Sequence, residues 1–365
     1  MIRLMRLKAL SALVVVAPLV AQVLAQSGRV RERPRPADPP NDPLKLRVEE
    51  VLLPVSVRNV AGRVPGSLDE SDLIVTEDGK RQRINAIMRA PANVLFILDS
   101  GGESPTKNIA IHRDLALELI QALGPEDRAA VISYGDGVNL LSGWTKERKE
   151  LEQAVRWKFR PGLMSEFYAS LDYAAEELLP RVSGRRCVVI IGDGVDSFDS
   201  HRFEQVLAAF HRARATVYVA GPNAFLMADM KPEAYNALSW FEMIDPRARL
   251  RIERMRAYYR QLEASQVTLK GLAEETGGAA WYPTSVEEFR SLGSQIKSEI
   301  NTEYVVAYQS QRPLDDSKFH AIQVSVTRPD LQIRCRRGVY SNVVRSEAGN
   351  HAHPKGSSFM SPDNE

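Results

Sequence analysis

Three stretches of this chain are apolar on both faces: Val94-Leu95-Phe96-Ile97-Leu98, Cys187-Val188-Val189-Ile190-Ile191 and Ala215-Thr216-Val217-Tyr218-Val219-Ala220. A strand with one wet face alternates polar and apolar residues. A run without alternation is covered on both sides. Between these runs the period changes to that of a helix. Ala116, Leu119, Ile120 and Leu123 fall at i, i+3, i+4 and i+7 before a Gly124-Pro125 stop. Phe167, Leu171, Ala174 and Leu178 form a second helical face, stopped by Pro180. Ala129 to Tyr134 reads as a further strand. Strands alternating with helices in this way predict an α/β fold, a mostly parallel sheet flanked by helices, over residues 91–301.

The flanks have a different rhythm. In residues 46–90, Val51, Leu53, Val55 and Val57 alternate, and Asp78-Gly79 separates two strand-like runs, a hairpin signal. In residues 302–345, Tyr304 to Tyr308 reads as a strand; Ile322, Val324 and Val326 alternate, as do Leu331, Ile333 and Cys335. About 45 residues cannot bury a self-sufficient core. The two flanks are therefore expected to form one small β-sandwich, with the α/β segment inserted between them. Residues 222–265 read as a helical insertion with Ile252, Met255, Tyr259 and Leu262 on one face. Six arginines between Arg247 and Arg260 make the rest a solvated face or a docking surface for an acidic partner.

The ends of the sequence speak of export. Arg3, Arg6 and Lys8 precede an apolar run at residues 12–21, and Val23-Leu24-Ala25 fits a cleavage site before Gln26. Residues 1–25 are thus expected to be a signal peptide, with no membrane span left after cleavage and a periplasmic or secreted product. Residues 26–45 read as a Pro/Arg-rich linker and residues 346–365 as a disordered tail. Lys+Arg 48 against Asp+Glu 46 leaves a charge of +2, which argues against a chain that holds nucleic acid by bulk positive charge. Two cysteines, Cys187 and Cys335, are too few for a disulfide scaffold, and they read as buried thiols in separate strands.

Two apolar strands end directly in an aspartate, Asp99 and Asp193. In an open parallel sheet, ligands bind beyond the carboxyl ends of the strands. A carboxylate there costs desolvation unless something pairs with it. Two carboxylates converging on one edge suggest a bound cation. Ser100, Glu103 and Ser104 follow the first aspartate, and Ser165 opens the Phe167 helix. Oxygen-only ligands suit Mg²⁺ or another hard divalent cation.

These stretches, in this order, resemble a von Willebrand factor type A (VWFA) domain. The carrying segments are residues 94–101, 123–131, 161–171 and 189–194; the flanking β segments extend the likeness over roughly residues 46–341, as in VWFA-related proteins of acidobacterial genomes. The resemblance implies a metal-ion-dependent adhesion site, whose first loop is D-x-S-x-S and whose later loops add a Thr and an Asp. Asp99 and Asp193 match the two aspartates, and Ser165 stands where the Thr belongs. Gly101 and Glu103 stand where the two serines belong. Gly101 brings no side-chain oxygen, and Glu103 changes the charge. The expected metal ligands are Asp99, Glu103, Ser165 and Asp193. Ser100, Ser104, Glu166 and Asp196 are the expected partner contacts around them.

The functional expectation is an exported protein-interaction or adhesion module that binds a protein at the top of the sheet, with a divalent cation bridging to the partner. The alternative is a metal-free structural component of a cell-envelope assembly. Enzymatic readings find little support. No G-x-S-x-G turn follows a strand, residue 101 breaks a D-x-D phosphoryl-transfer pattern, and no G-x-G-x-x-G loop follows the first strand.

Overall fold

The computed structural model describes residues 50–102, 107–198, 202–235, 246–310 and 318–340. The expected signal peptide, linker and tail, and Glu103 and Ser104, lie outside the described residues. In chain order the protein begins with β1 (Glu50–Asn59), β2 (Leu73–Glu77), β3 (Lys80–Arg81), β4 (Ile84–Met88) and β5 (Ala92–Asp99). Then come α1 (Ile109–Gln121), β6 (Arg128–Tyr134), β7 (Val138–Thr145), α2 (Arg148–Lys158), α3 (Phe167–Tyr173) and β8 (Arg185–Ile191). There follow α4 (Phe203–Ala213), β9 (Ala215–Ala220), α5 (Asn223–Tyr235), α6 (Pro246–Glu275) and β10 (Ala279–Trp281). The chain continues through α7 (Val286–Arg290), α8 (Leu292–Thr302), β11 (Glu303–Gln309), β12 (Phe319–Val326), β13 (Leu331–Cys335) and β14 (Gly338–Tyr340).

The central sheet runs β10-β9-β8-β5-β6-β7. All its neighbours are parallel except β7, which turns back against β6. The double-sided burial read from the sequence is met literally. Val94, Phe96 and Leu98 point into one core with α1, α2 and α8, while Leu95 and Ile97 point into the other with α3 and α4. Every residue of β5 is buried. At roughly 25 cal/mol per Å² of apolar area, this two-layer burial is the main stabilising contribution of the domain. Asp127 fixes the entry to β5: its carboxylate accepts from the Ala92 and Gly124 amides, both at 2.7 Å.

The flanking strands form two antiparallel four-stranded sheets, β13-β1-β11-β4 and β14-β12-β2-β3. Val51, Leu53, Val55 and Val57 meet Leu73, Val75, Tyr304, Val306, Tyr308 and Val324 in one core. Asp78 and Gly79 have φ of 49° and 75°, the left-handed pair that a two-residue hairpin turn of this twist requires. Pro54 lies within β1 but just outside the β1–β13 ladder, which begins at Val55, so its missing amide costs no bond to β13.

A buried polar cluster joins the two parts. Glu303, the first residue of β11, receives the Arg185 guanidinium at 3.0 Å and the Tyr218 hydroxyl at 3.2 Å. Arg185 opens β8. The sandwich is therefore tied to the end of the parallel strands opposite the rim that carries Asp99 and Asp193.

The helical region departs from the expected insertion. Helix α6 runs on past residue 265 to Glu275 as a single element of 30 residues. Its second half is core: Leu269, Leu272 and Ala273 pack under the sheet with α4. On its first half Tyr258, rather than Tyr259, is the fully buried tyrosine. Cys187 and Cys335 are free thiols. Among the described residues no helix is long and apolar enough to cross a membrane.

His211 supplies a pH test of this packing. Its ring is buried on α4 edge-on to Phe319, with centroids 5.1 Å apart. Burial first, and the Arg336 charge second, bring its pKa down from 6.5 to about 4, against a backbone bond at Gly338 that acts the other way. The unfolded chain takes up this proton below pH 6.5, whereas the folded protein resists it until pH 4. Stability is therefore lost as the pH falls through that window. Between pH 7 and pH 5 the wild type is expected to lose about 2 kcal/mol more than His211→Gln in urea unfolding. Equal losses in the two proteins would refute this.

Candidate functional site

The rim is assembled from the ends of β5, β6 and β8 and the loops that follow them. Asp99 is the last residue of β5, and Asp193 stands two residues beyond the end of β8. Gly192 lets the two approach. A Cβ at that glycine would lie 2.3 Å from the Cβ of Asp99. Gly194 then turns the chain with φ of 69°. The two carboxylates that the sequence placed on one edge do converge there, and both are completely buried.

Between them lies a cation of the protein's own. The Lys107 Nζ is 2.7 Å from Asp99 Oδ2 and 3.0 Å from Asp193 Oδ2, and its side chain is 1% exposed. The other carboxylate oxygens are also engaged. The Gly101 amide donates to Asp99 Oδ1 at 2.9 Å, and the Val195 amide donates to Asp193 Oδ1 at 2.9 Å. The Tyr258 hydroxyl, from α6, donates to Asp193 Oδ2 at 2.7 Å. Burial pushes the Asp193 carboxyl up. The Lys107 charge, the Val195 amide and the Tyr258 hydroxyl more than offset this and hold it below the usual carboxylate range. Burial, then the Asp193 charge, raise the Tyr258 phenol well above its usual value. His112 of α1 contacts the Asp99 carbonyl through Nδ1 at 2.9 Å, and burial keeps its pKa near 4, so it is neutral at pH 7.

The predicted site residues divide into several groups. Asp99 and Asp193 meet as expected. Ser165 is fully buried beside the rim, and its hydroxyl has no hydrogen-bond partner among the described residues. Its backbone is stapled to the Asp193 loop, with the Ser165 amide donating to Ser197 Oγ at 2.8 Å and the Ser197 amide to the Ser165 carbonyl at 2.9 Å. Ser100, expected to face a partner, is instead buried. Its amide and hydroxyl both donate to the Tyr134 carbonyl at 2.8 Å, and its own carbonyl accepts from Gly162. It ties three loops together because its polar groups are all spent internally. Glu166 is half-buried at the start of α3, its amide bound to the Gly135 carbonyl. Asp196 is half-buried too, with its carboxylate accepting from the Tyr168 and Phe198 amides. The Tyr168 bond satisfies an orphan donor in the first turn of α3.

Among the described residues the set, Asp99, Ser165 and Asp193, does not fit a divalent cation. An ion between Asp99 and Asp193 would have to displace the Lys107 ammonium, a positive charge already within hydrogen-bond distance of both carboxylates. Gly101 contributes an amide where the resemblance implied a serine hydroxyl. Among the described residues, no three His, Cys, Asp or Glu side chains come together as a metal-holding group. An ion bridging to a partner would also need an open coordination position, and these carboxylates have no exposed surface. Sequence reasoning missed Lys107 and Tyr258. It also missed Asn223 and Ser265, which bind the Asp193 carbonyl at 3.0 and 2.7 Å and fix its loop to α5 and α6. Tyr258→Phe removes a bond to a buried charge and is expected to lower stability by about 2 kcal/mol in urea unfolding. An unchanged midpoint would mean that the hydroxyl holds nothing there.

Residues 94–195 match the von Willebrand factor type A domain. Among solved structures, proximal thread matrix protein 1 from the mussel byssus aligns with a TM-score of 0.42 and 11% identity, over 62% of this chain and 50% of its own. That protein has also been solved with zinc in its metal-ion-dependent adhesion site. The vWF domain of the type V pili tip protein Mfa5 from Porphyromonas gingivalis aligns with a TM-score of 0.26 and 19% identity, over 29% of this chain and 38% of its own. An aerotolerance-related membrane protein from Bacteroides fragilis aligns with a TM-score of 0.36 and 13% identity, over 57% of this chain and 98% of its own. This chain thus spans about half the length of the mussel protein's chain and less of the pilus protein's. No curated protein matches it. The sheet order, the paired rim aspartates and the matched segment together identify a von Willebrand factor type A domain in this chain.

Proposed function

We propose that the chain is an exported protein-binding module that presents the rim of its type A sheet to a protein partner. The observation that carries this reading is a group of exposed apolar side chains on two stapled loops. Leu163 is 81%, Met164 41% and Phe198 58% exposed. Met164 and Phe198 are the chain neighbours of Ser165 and Ser197, whose mutual hydrogen bonds hold the loops side by side. Asp136 fixes the first loop further, its carboxylate accepting from the Leu163 and Met164 amides at 2.7 Å. Apolar side chains cost solubility when displayed in water. Held on braced loops, they form a preorganised contact patch.

The charge pattern and apolar run of residues 1–25 support export, and the resemblance of roughly residues 46–341 to VWFA-related proteins supports a role at the cell envelope. A binding role is favoured over a catalytic one because Asp99 and Asp193 are sealed from any substrate. The same closure favours the metal-free form of the module over one in which Mg²⁺ bridges to the partner.

The test is a rim variant, Leu163→Ser with Phe198→Ser. Both positions are exposed, so its unfolding free energy from urea titration should stay within about 0.5 kcal/mol of wild type. Cross-linking of the purified chain in the native host's envelope fraction should yield partner adducts that fall at least tenfold with the variant. Adducts that persist at wild-type yield would place the contact elsewhere, the arginine face of α6 being the next surface to change.

A further inference from the structure

We propose that Lys107 is a tethered cation that takes the place of a divalent ion between Asp99 and Asp193, making this type A domain independent of metal for its fold and for its rim. The reasoning is electrostatic. Two carboxylates with no exposed surface repel one another strongly and must be compensated. The metal-ion-dependent adhesion site that the resemblance implies would meet that need with a bound ion. Here the compensation is covalently attached. The Lys107 ammonium reaches both carboxylates at hydrogen-bond distance, 2.7 and 3.0 Å. It belongs to the loop between β5 and α1, the same loop that resembles the metal-binding one, where Gly101 stands at a position the resemblance gives to a serine. A lysine brings one charge and three donors, whereas a divalent ion brings two charges. The protein supplies further donors to the same carboxylates from the Tyr258 hydroxyl and the Gly101 and Val195 amides. The side chain is 1% exposed, so the cation is not presented to solvent for a partner's acidic residue to grasp.

This inference deepens the rim reading in one respect. A partner meets apolar side chains there and no metal, so its capture does not depend on divalent ions. The cation itself is tested without any partner, so its failure and the failure of the rim reading are separable.

Thermal unfolding of the mature chain is followed in chelator and then in millimolar Mg²⁺, Mn²⁺ or Zn²⁺. Wild-type Tm is expected to move by less than about 1 °C. Lys107→Ala in chelator is expected to melt about 10 °C lower, because two buried charges lose their compensation. A divalent ion should then restore several degrees by occupying the vacated position. Lys107→Ala combined with Asp193→Asn should recover part of the loss and lose the response to metal. If Lys107→Ala does not fold, soluble folded protein from the double variant supports the assignment, and failure of both overturns it. A wild-type Tm raised several degrees by a divalent ion overturns it. So does a Lys107→Ala protein that melts like wild type, or one destabilised but restored by no divalent ion. In the cross-linking experiment, chelator should leave wild-type adducts unchanged. Their loss in chelator, with cation-blind melts, would overturn the metal-free contact while leaving the tethered cation in place.

Discussion

Two aspartates without exposed surface share one rim of a parallel sheet only when positive charge and donors lie between and around them. The Lys107 ammonium supplies the charge, and every other carboxylate oxygen is met by an amide or the Tyr258 hydroxyl. Much of the upper half of the domain is organised by this requirement. The β8 loop is held by Asn223 and Ser265 acting on the Asp193 carbonyl, which draws α5 and α6 over the rim. Ser100 then binds the end of β6 to the loop before α3, and Ser165 and Ser197 close the ring. The result is a rigid floor beneath Leu163, Met164 and Phe198. Those loops display apolar side chains without collapsing onto them because their backbone bonds are already satisfied from below.

The opposite end of the sheet follows the same rule with different residues. Glu303 is buried and would be costly alone, but Arg185 and Tyr218 both reach it, and Arg185 also binds the Ile300 carbonyl. Buried charge thus serves both ends of the sheet, shutting the rim at one and seating the sandwich at the other. In each case the group is stabilised by partners from several elements. Removing any single partner therefore disturbs more than one contact.

How much of this was legible in the sequence depends on the range of each signal. The β5, β8 and β9 runs were plain because burial on both faces erases alternation, and the aspartates closing two of them stood out for that reason. The Asp78-Gly79 turn was equally clear, since few residue pairs accept two positive φ angles. Strand β7 was not read: its sequence, VNLLSGWT, breaks alternation with Gly143, and its pairing with β6 shifts register twice. Lys107 left no local signal, because a lysine in a loop ordinarily belongs in water, and only the fold brings it under two carboxylates. Tyr258 was passed over for Tyr259 because a helix of 30 residues does not keep one face to the core along its whole length. Its first half covers the rim and its second half lies beneath the sheet. The pairing of the two β flanks was inferable only from size, since neither has enough apolar surface to stand by itself.

That pairing bears on how the chain is made. Val51 pairs with Tyr308 and Val55 with Tyr304, so nearly all of the intervening domain must be synthesised before β1 finds its neighbour. Strands β1 to β4 emerge early with open edges and no core. The parallel sheet and its helices contain all their own pairings and can close first. Strand β11, which follows α8 directly, then delivers Glu303 to Arg185 and gives the waiting strands a template on which to assemble. With the middle closing first and the ends last, the early strands find a finished edge to pair with and spend no longer than that as open edges.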